Sequence, residues 1–114
     1  MKYSVFIFNV ASCSDRYCSA YGREFSMEEM FDRVKSIDEI SAVDIVMNDM
    51  FKDGTGEAVK HLGRTGLSVA SVAVDTFANP VFQQGSLSSL DKKIRDQAIN
   101  DTKFAMDFAH EVGC

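Results

Sequence analysis

Three polar side chains close three apolar runs. Asn9 follows Val5-Phe-Ile-Phe8, Asn48 follows Ile45-Val-Met47, and Asp75 follows Val72-Ala-Val74. In α/β folds chemistry gathers where strands end and loops begin, so these positions are the first to consider. A carboxamide offers an acceptor oxygen and two N–H donors, whereas an ionised carboxylate only accepts. Asn48 can therefore hydrogen-bond a hydroxyl, but it cannot act as a histidine-like acid or base. Asn9 and Asp75 also have a structural reading. Asn9 can cap its strand and start a turn. Asp75 can bracket the loop by accepting from backbone N–H groups.

The elements that would position these groups follow from the pattern of apolar residues. Residues 2–10 and 41–47 and the stretch from Leu67 to Asp75 are nearly continuous apolar runs, as in parallel strands covered on both faces. Alternation would put Val5, Ile7 and Asn9 on one face of the first strand. It would put Val69, Ser71, Ala73 and Asp75 on one face of the third, with this Ser/Ala-rich face turned inward. Ser26-Met-Glu-Glu29 has the form of a capping box. Met27, Met30, Phe31, Val34 and Ile37 then recur at helical spacing. A second helix is expected between Gly54 and Gly66, with Ala58, Val59 and Leu62 inward and Gly63 closing it. The longest helix starts near Ser88 or Asp91 and buries Ile94, Ala98, Ala105, Ala109 and Val112, with Gly113 just past its end. Lys92, Lys93, Asp96 and Asp101 read as solvated charges. His61 and His110 read as surface or helix-end residues, neither having a partner at ligand spacing. Residues 11–25 form a long polar loop, a length that is often functional.

The stretch Phe77-Ala-Asn79-Pro80-Val-Phe82-Gln-Gln-Gly85, followed by Ser89-Leu-Asp91, Arg95, Ala98 and Asp107-Phe-Ala-His-Glu-Val-Gly113, resembles the xylose-isomerase-like barrels. These are metal-dependent sugar isomerases and epimerases in a superfamily that includes endonuclease IV. The resemblance implies an α/β fold whose parallel (β/α) units are the first three of a (β/α)8 TIM barrel. A complete barrel takes about 250 residues, so residues 1–114 are expected to be the N-terminal part of one, an incomplete domain. The resemblance further implies a divalent metal (Mn, Mg or Co), with ligands expected beyond residue 114. It implies a sugar pocket with one wall formed by Phe8, Asn9, Asn48, Asp75 and Phe77. Tyr21, before Gly22, takes the place of an aromatic that reaches into a neighbouring subunit's site. The expected partners are a small-molecule sugar and either a homo-oligomer or the remainder of the barrel. One departure stands out: where xylose isomerases carry a histidine at the end of the second strand, this chain has Val46 or, with a small shift, Asn48. A sugar lyase of the C-glycoside-cleaving type, a non-catalytic binding or assembly subunit, and a self-contained small α/β domain are the other readings.

Composition narrows the classes further. With 46% hydrophobic residues the 114-residue chain can build a core, and its net charge of −5 leaves no electrostatic footprint for nucleic acid. No run approaches the ~20 apolar residues that span a bilayer. The N-terminus lacks a signal-peptide layout, so a cytoplasmic protein is the default expectation. Cys13, Cys18 and Cys114 have neither the even count nor the paired spacing of a disulfide framework or zinc site. Cys13 and Cys18 read as free thiols in one loop. No phosphate loop, dinucleotide fingerprint, Gly-x-Ser-x-Gly or His-Glu-x-x-His occurs.

Overall fold

The computed structural model describes residues 2–11, 15, 17, 18 and 21–114. Three parallel strands, β1 (Tyr3–Phe6), β2 (Ile40–Met47) and β3 (Ser68–Val74), form one sheet in the order β1-β2-β3. Helix α1 (Met27–Lys35) connects β1 to β2. Helices α2 (Asp49–Asp53) and α3 (Thr55–Thr65) connect β2 to β3, and α4 (Lys92–Glu111) follows β3. The architecture is thus mixed α/β, built from strand–helix steps around a parallel sheet. Cys13 and Arg16, two residues of the polar loop, lie outside the described residues. No helix among the described residues is long and apolar enough to cross a membrane.

Local chemistry fixes the helix ends. Ser26 Oγ accepts from Glu29 N at 3.2 Å, and Glu29 Oε2 accepts from Ser26 N at 2.9 Å, which completes the capping box. The Ser26 N–H bond and the Arg23 guanidinium hold the Glu29 carboxyl below its ordinary pKa. Asp91 caps α4 by accepting from Lys93 N at 2.8 Å. Helix α3 runs through Gly63 and ends at Gly66, whose φ of +70° is the left-handed conformation that stops a helix without a Cβ penalty. Helix α1 stops at Lys35, which leaves Ile37 in the exposed turn beyond it. Val59 points away from the core and is likewise exposed.

The first strand is shorter than its apolar run. Residues Ile7–Val10 wind into a 3-10 turn. Strand alternation therefore ends at Phe6, so Ile7 turns into the core while Asn9 is exposed.

Two register shifts change which side chains share a face. Along β1–β2 the pairing passes from Tyr3↔Ile40 to Ser4↔Ala42, skipping Ser41. Along β2–β3 it passes from Val43↔Val69 to Asp44↔Ser71, skipping Ala70. An extra residue in one strand restarts the alternation. Val69 consequently joins Val72 and Val74 on the helix-covered face, beside Val43, Ile45 and Met47. Val5 and Ile7 also belong to that side. The expectation that Val69 shares a face with Ser71 and Ala73 fails at the second of these bulges. The face without helices instead carries Phe6, Asp44, Val46, Ser71 and Ala73 by register. Ser71 Oγ donates to Asp44 Oδ1 there at 2.7 Å.

The core lies between the other sheet face and the helices. Phe31, Phe51, Ile7, Val34, Ile45 and Met47 are among its fully enclosed side chains. His61 belongs with them. It is 5% exposed and stacks on Phe31, with ring centroids 5.7 Å apart and planes 25° apart. Its Nε2 lies 3.3 Å from Glu57 Oε1, and its Nδ1 accepts from Arg64 Nε at 3.4 Å. Asp101 is not a solvated charge either. Its side chain is 16% exposed and pairs with Lys52 of α2 at 3.0 Å. That pair ties α2 to α4.

Candidate functional site at the strand ends

The C-terminal ends of β2 and β3 each break on a side chain that accepts backbone N–H groups. Asn48 Oδ1 accepts from Phe51 N at 3.2 Å and caps α2. Asp75 Oδ1 accepts from Ala78 N at 2.7 Å and from Phe77 N at 3.3 Å, which turns the chain sharply after β3. Asn79 Oδ1 repeats the device, accepting from Val81 N at 3.0 Å at the start of the 3-10 turn Pro80–Phe82. Pro80 supplies the fixed φ that suits the first position of such a turn, and Phe82 anchors it in the interior.

These turns shape two adjoining cavities. The smaller, about 240 Å³, is walled by Phe6, Phe8 and Phe77 with Val46, Val74 and Ala78. Asn48 and Asp75 are its polar members. The larger, about 490 Å³, is lined by Asp49, Lys52 and Asn79 and by Asp15, Tyr17 and Cys18 of the polar loop. Asn48, Asp75 and Ala78 line both cavities.

The rings of the small cavity rest on the core. Phe6 and Phe8 have centroids 5.9 Å apart, and Phe8 meets Phe51 edge-on at 6.1 Å. Phe51 in turn meets Phe31 at 6.5 Å. A continuous line of rings therefore runs from the cavity wall to buried His61. Phe77 lines the same cavity and is 64% exposed.

Of the residues singled out from the sequence, the fold brings Phe8, Asn48, Asp75 and Phe77 around one cavity. Asn9 sits on the exposed 3-10 turn and lines neither cavity. Tyr21 lines neither cavity and points its hydroxyl at Asp15, donating to Oδ2 at 2.6 Å. That hydrogen bond, reinforced by the carboxylate's charge, pushes the Tyr21 pKa up to about 12. The Asp15 carboxylate also gathers Tyr17 N and Cys18 N through Oδ1, at 2.8 and 2.9 Å. Sequence reasoning missed Phe6, Val46 and Ala78 as cavity residues, and Asp49, Lys52 and Asn79 beside them. The Asn79-Pro80 step was a usable signal, since Asn before Pro favours turn initiation.

Among the described residues no three His, Cys, Asp or Glu side chains converge where an ion could be held. Compared with models of known protein families and with curated protein sequences, the chain matches none.

Proposed function

We propose that these three βα units are part of a xylose-isomerase-like (β/α)8 barrel. In that reading the aromatic cavity is one wall of the sugar site of a divalent-metal-dependent isomerase or epimerase. The observation that carries the reading is the cavity's place, at the C-terminal ends of parallel strands, with phenylalanines beside a carboxamide and a carboxylate. Sugars present apolar C–H faces, which aromatic plates remove from water at little polar cost. The sheet supports the same reading, because helices cover only one of its faces, as in the wall of a barrel. The reaction class implied is a proton or hydride shift between neighbouring carbons of an open-chain sugar. The part of this chain is to bind and orient. Phe8 and Phe77 flank the C–H face, and Asn48 and Asp75 meet hydroxyls. Any catalytic metal would be held by other residues.

The test is a titration of the ¹⁵N-labelled chain with xylose and with glucose, followed by amide shifts. Binding should perturb Asn48, Asp75 and Phe77 together. Phe77→Ala should weaken it by roughly 1–3 kcal/mol, the scale of one lost buried aromatic contact. Amides around the cavity that stay unmoved at saturating sugar would overturn the reading.

A further inference from the structure

Among the described residues Leu90 is the most exposed large apolar side chain, at 99%. It stands just before Asp91, the cap of α4, where an apolar residue ordinarily packs against the fourth residue of the helix. That residue is Arg95, whose guanidinium turns back and donates to Ser89 O at 2.6 Å and to Leu90 O at 2.9 Å. Asp91 N donates to the hydroxyl of buried Ser89 at 3.2 Å. The backbone on both sides of Leu90 is thus pinned, and its side chain is left pointing into water. A single exposed leucine is ordinary. A pinned one with a second, the exposed Leu87, in the same loop forms a rigid apolar knob.

The complementary shape lies on the same rim of the molecule. Helix α4 follows β3 in a strand–helix step, so Leu90 stands at the C-terminal end of the sheet, as the cavities do. It lines neither cavity of its own copy. The smaller cavity is open, with Phe6 and Phe77 exposed, so water meets its rings until another group covers them. Its volume of about 240 Å³ accommodates an isobutyl group, which is smaller than the benzene that a cavity of about 150 Å³ holds. Charge agrees with shape. Asp49 and Asp75 line the larger cavity, and Lys52, the cation beside them, is paired with Asp101 at 3.0 Å. The knob carries the opposite sign, because the exposed Lys92 and Lys93 follow closely on Leu90.

We propose that Leu90 of a second copy of this chain seats in the aromatic cavity, with Lys93 beside the carboxylates of Asp49 and Asp75. Knob and cavity share one rim, so two copies related by a two-fold axis engage both pairs at once. The seated leucine covers the wall on which the sugar lies in the reading above. Pairing and sugar binding therefore exclude each other, and this exclusion alone rests on the sugar reading.

Two substitutions of exposed side chains test the pairing. Leu90→Ser removes the knob, and Phe77→Ser spoils the cavity. Sedimentation velocity at a series of concentrations should show wild-type dimers. Each variant alone should dimerise at least about a hundredfold more weakly, because two leucine contacts are lost together, each worth roughly tenfold or more. A mixture of the two variants should regain dimers, about tenfold weaker than wild type, since one intact knob still meets one intact cavity. The circular dichroism of both variants should match the parent. In a wild-type dimer with ¹³C-methyl leucine in one copy, filtered Overhauser spectra should connect the Leu90 methyls to the Phe77 ring of the unlabelled copy. Saturating xylose should dissolve the dimer and erase those cross-peaks. A wild-type chain that stays monomeric overturns the proposal, as does a Leu90→Ser variant that dimerises like the parent. So does a mixture that regains nothing, or a dimer without the Leu90–Phe77 cross-peaks. Dimers that keep those cross-peaks in saturating xylose overturn the sugar reading and leave the pairing standing.

Discussion

Phe51 is the joint between the strand-end site and the core, so Phe51→Ala is the most informative single change. The side chain is fully enclosed, and its ring meets Phe8 of the cavity wall at 6.1 Å and Phe31 of the core at 6.5 Å. Truncating a buried phenylalanine costs about 3–5 kcal/mol, the lost burial plus the cavity left behind. A domain of this length is stable by about 6–17 kcal/mol. The variant should therefore fold, but with its melting temperature lowered by about 12–20 °C at about 4 °C per kcal/mol. The α2 cap should survive, because Asn48 accepts from the Phe51 backbone N–H and not from the ring. Phe51→Leu, which keeps most of the volume, should cost less than about 1.5 kcal/mol. Urea unfolding of the three proteins gives the differences directly, and amide spectra show whether Phe8 and Phe6 shift with them. If Phe51→Ala falls within about 0.5 kcal/mol of the parent, the scale of an ordinary surface change, the ring does not bridge site and core. The account of how the cavity wall is supported then collapses.

Two further outcomes are expected. Because Asp15 stabilises the protonated Tyr21 hydroxyl, ultraviolet titration of tyrosinate should show one residue ionising near pH 12. Its stabilising contribution is complete below the ordinary tyrosine pKa of about 10 and is lost as pH rises toward 12, whereas Asp15→Asn should return Tyr21 toward about 10; a wild-type chain in which Tyr21 titrates near 10 refutes the Tyr21–Asp15 contact. The chain alone should also associate, because among the described residues β1 and β3 are the edge strands of the sheet, and Phe6 and Phe77 are 40% and 64% exposed. Light scattering at tens of micromolar, a range where exposed edges associate, should give masses above 12.6 kDa, and a stable monomer would favour the self-contained small domain.

The order of elements was legible because it depends on local signals. Ser26 and Glu29 announce the start of α1, and the β-branched runs announce the strands. What was lost depends on partners distant in sequence. His61 is buried because Phe31, thirty positions away on another helix, offers it a ring to stack on. Asp101 is shielded because Lys52 comes to it from α2. Neither fact can be read from the neighbours of the residue, since a histidine or aspartate on a polar helix face looks the same either way. The bulges were hidden for a different reason. Ser41 and Ala70, the skipped residues, are small enough to suit either face of a sheet, so the pattern carries no mark where alternation restarts. The 3-10 turn was hidden by its composition, because Ile7-Phe-Asn-Val10 is as apolar as a strand and too short for its period to show.

The site inherits one consequence of this layout. Asp75 had a structural reading and a functional one, and these looked like rivals while only residue types were in view. The geometry divides its side chain instead, and those of Asn48 and Asn79 with it. One oxygen closes a turn or caps a helix, and the other terminal atom is left at the cavity border. A side chain held this way has lost its rotamer freedom to the fold before any ligand arrives, so the entropy of ordering it is not charged to binding. The same coupling sets a limit on substitution. A replacement without the first oxygen removes the turn along with the ligand contact, which makes alanine a poor probe at all three positions. Only exchanges between aspartate and asparagine alter the cavity-facing atom while the backbone bond that positions it stays in place.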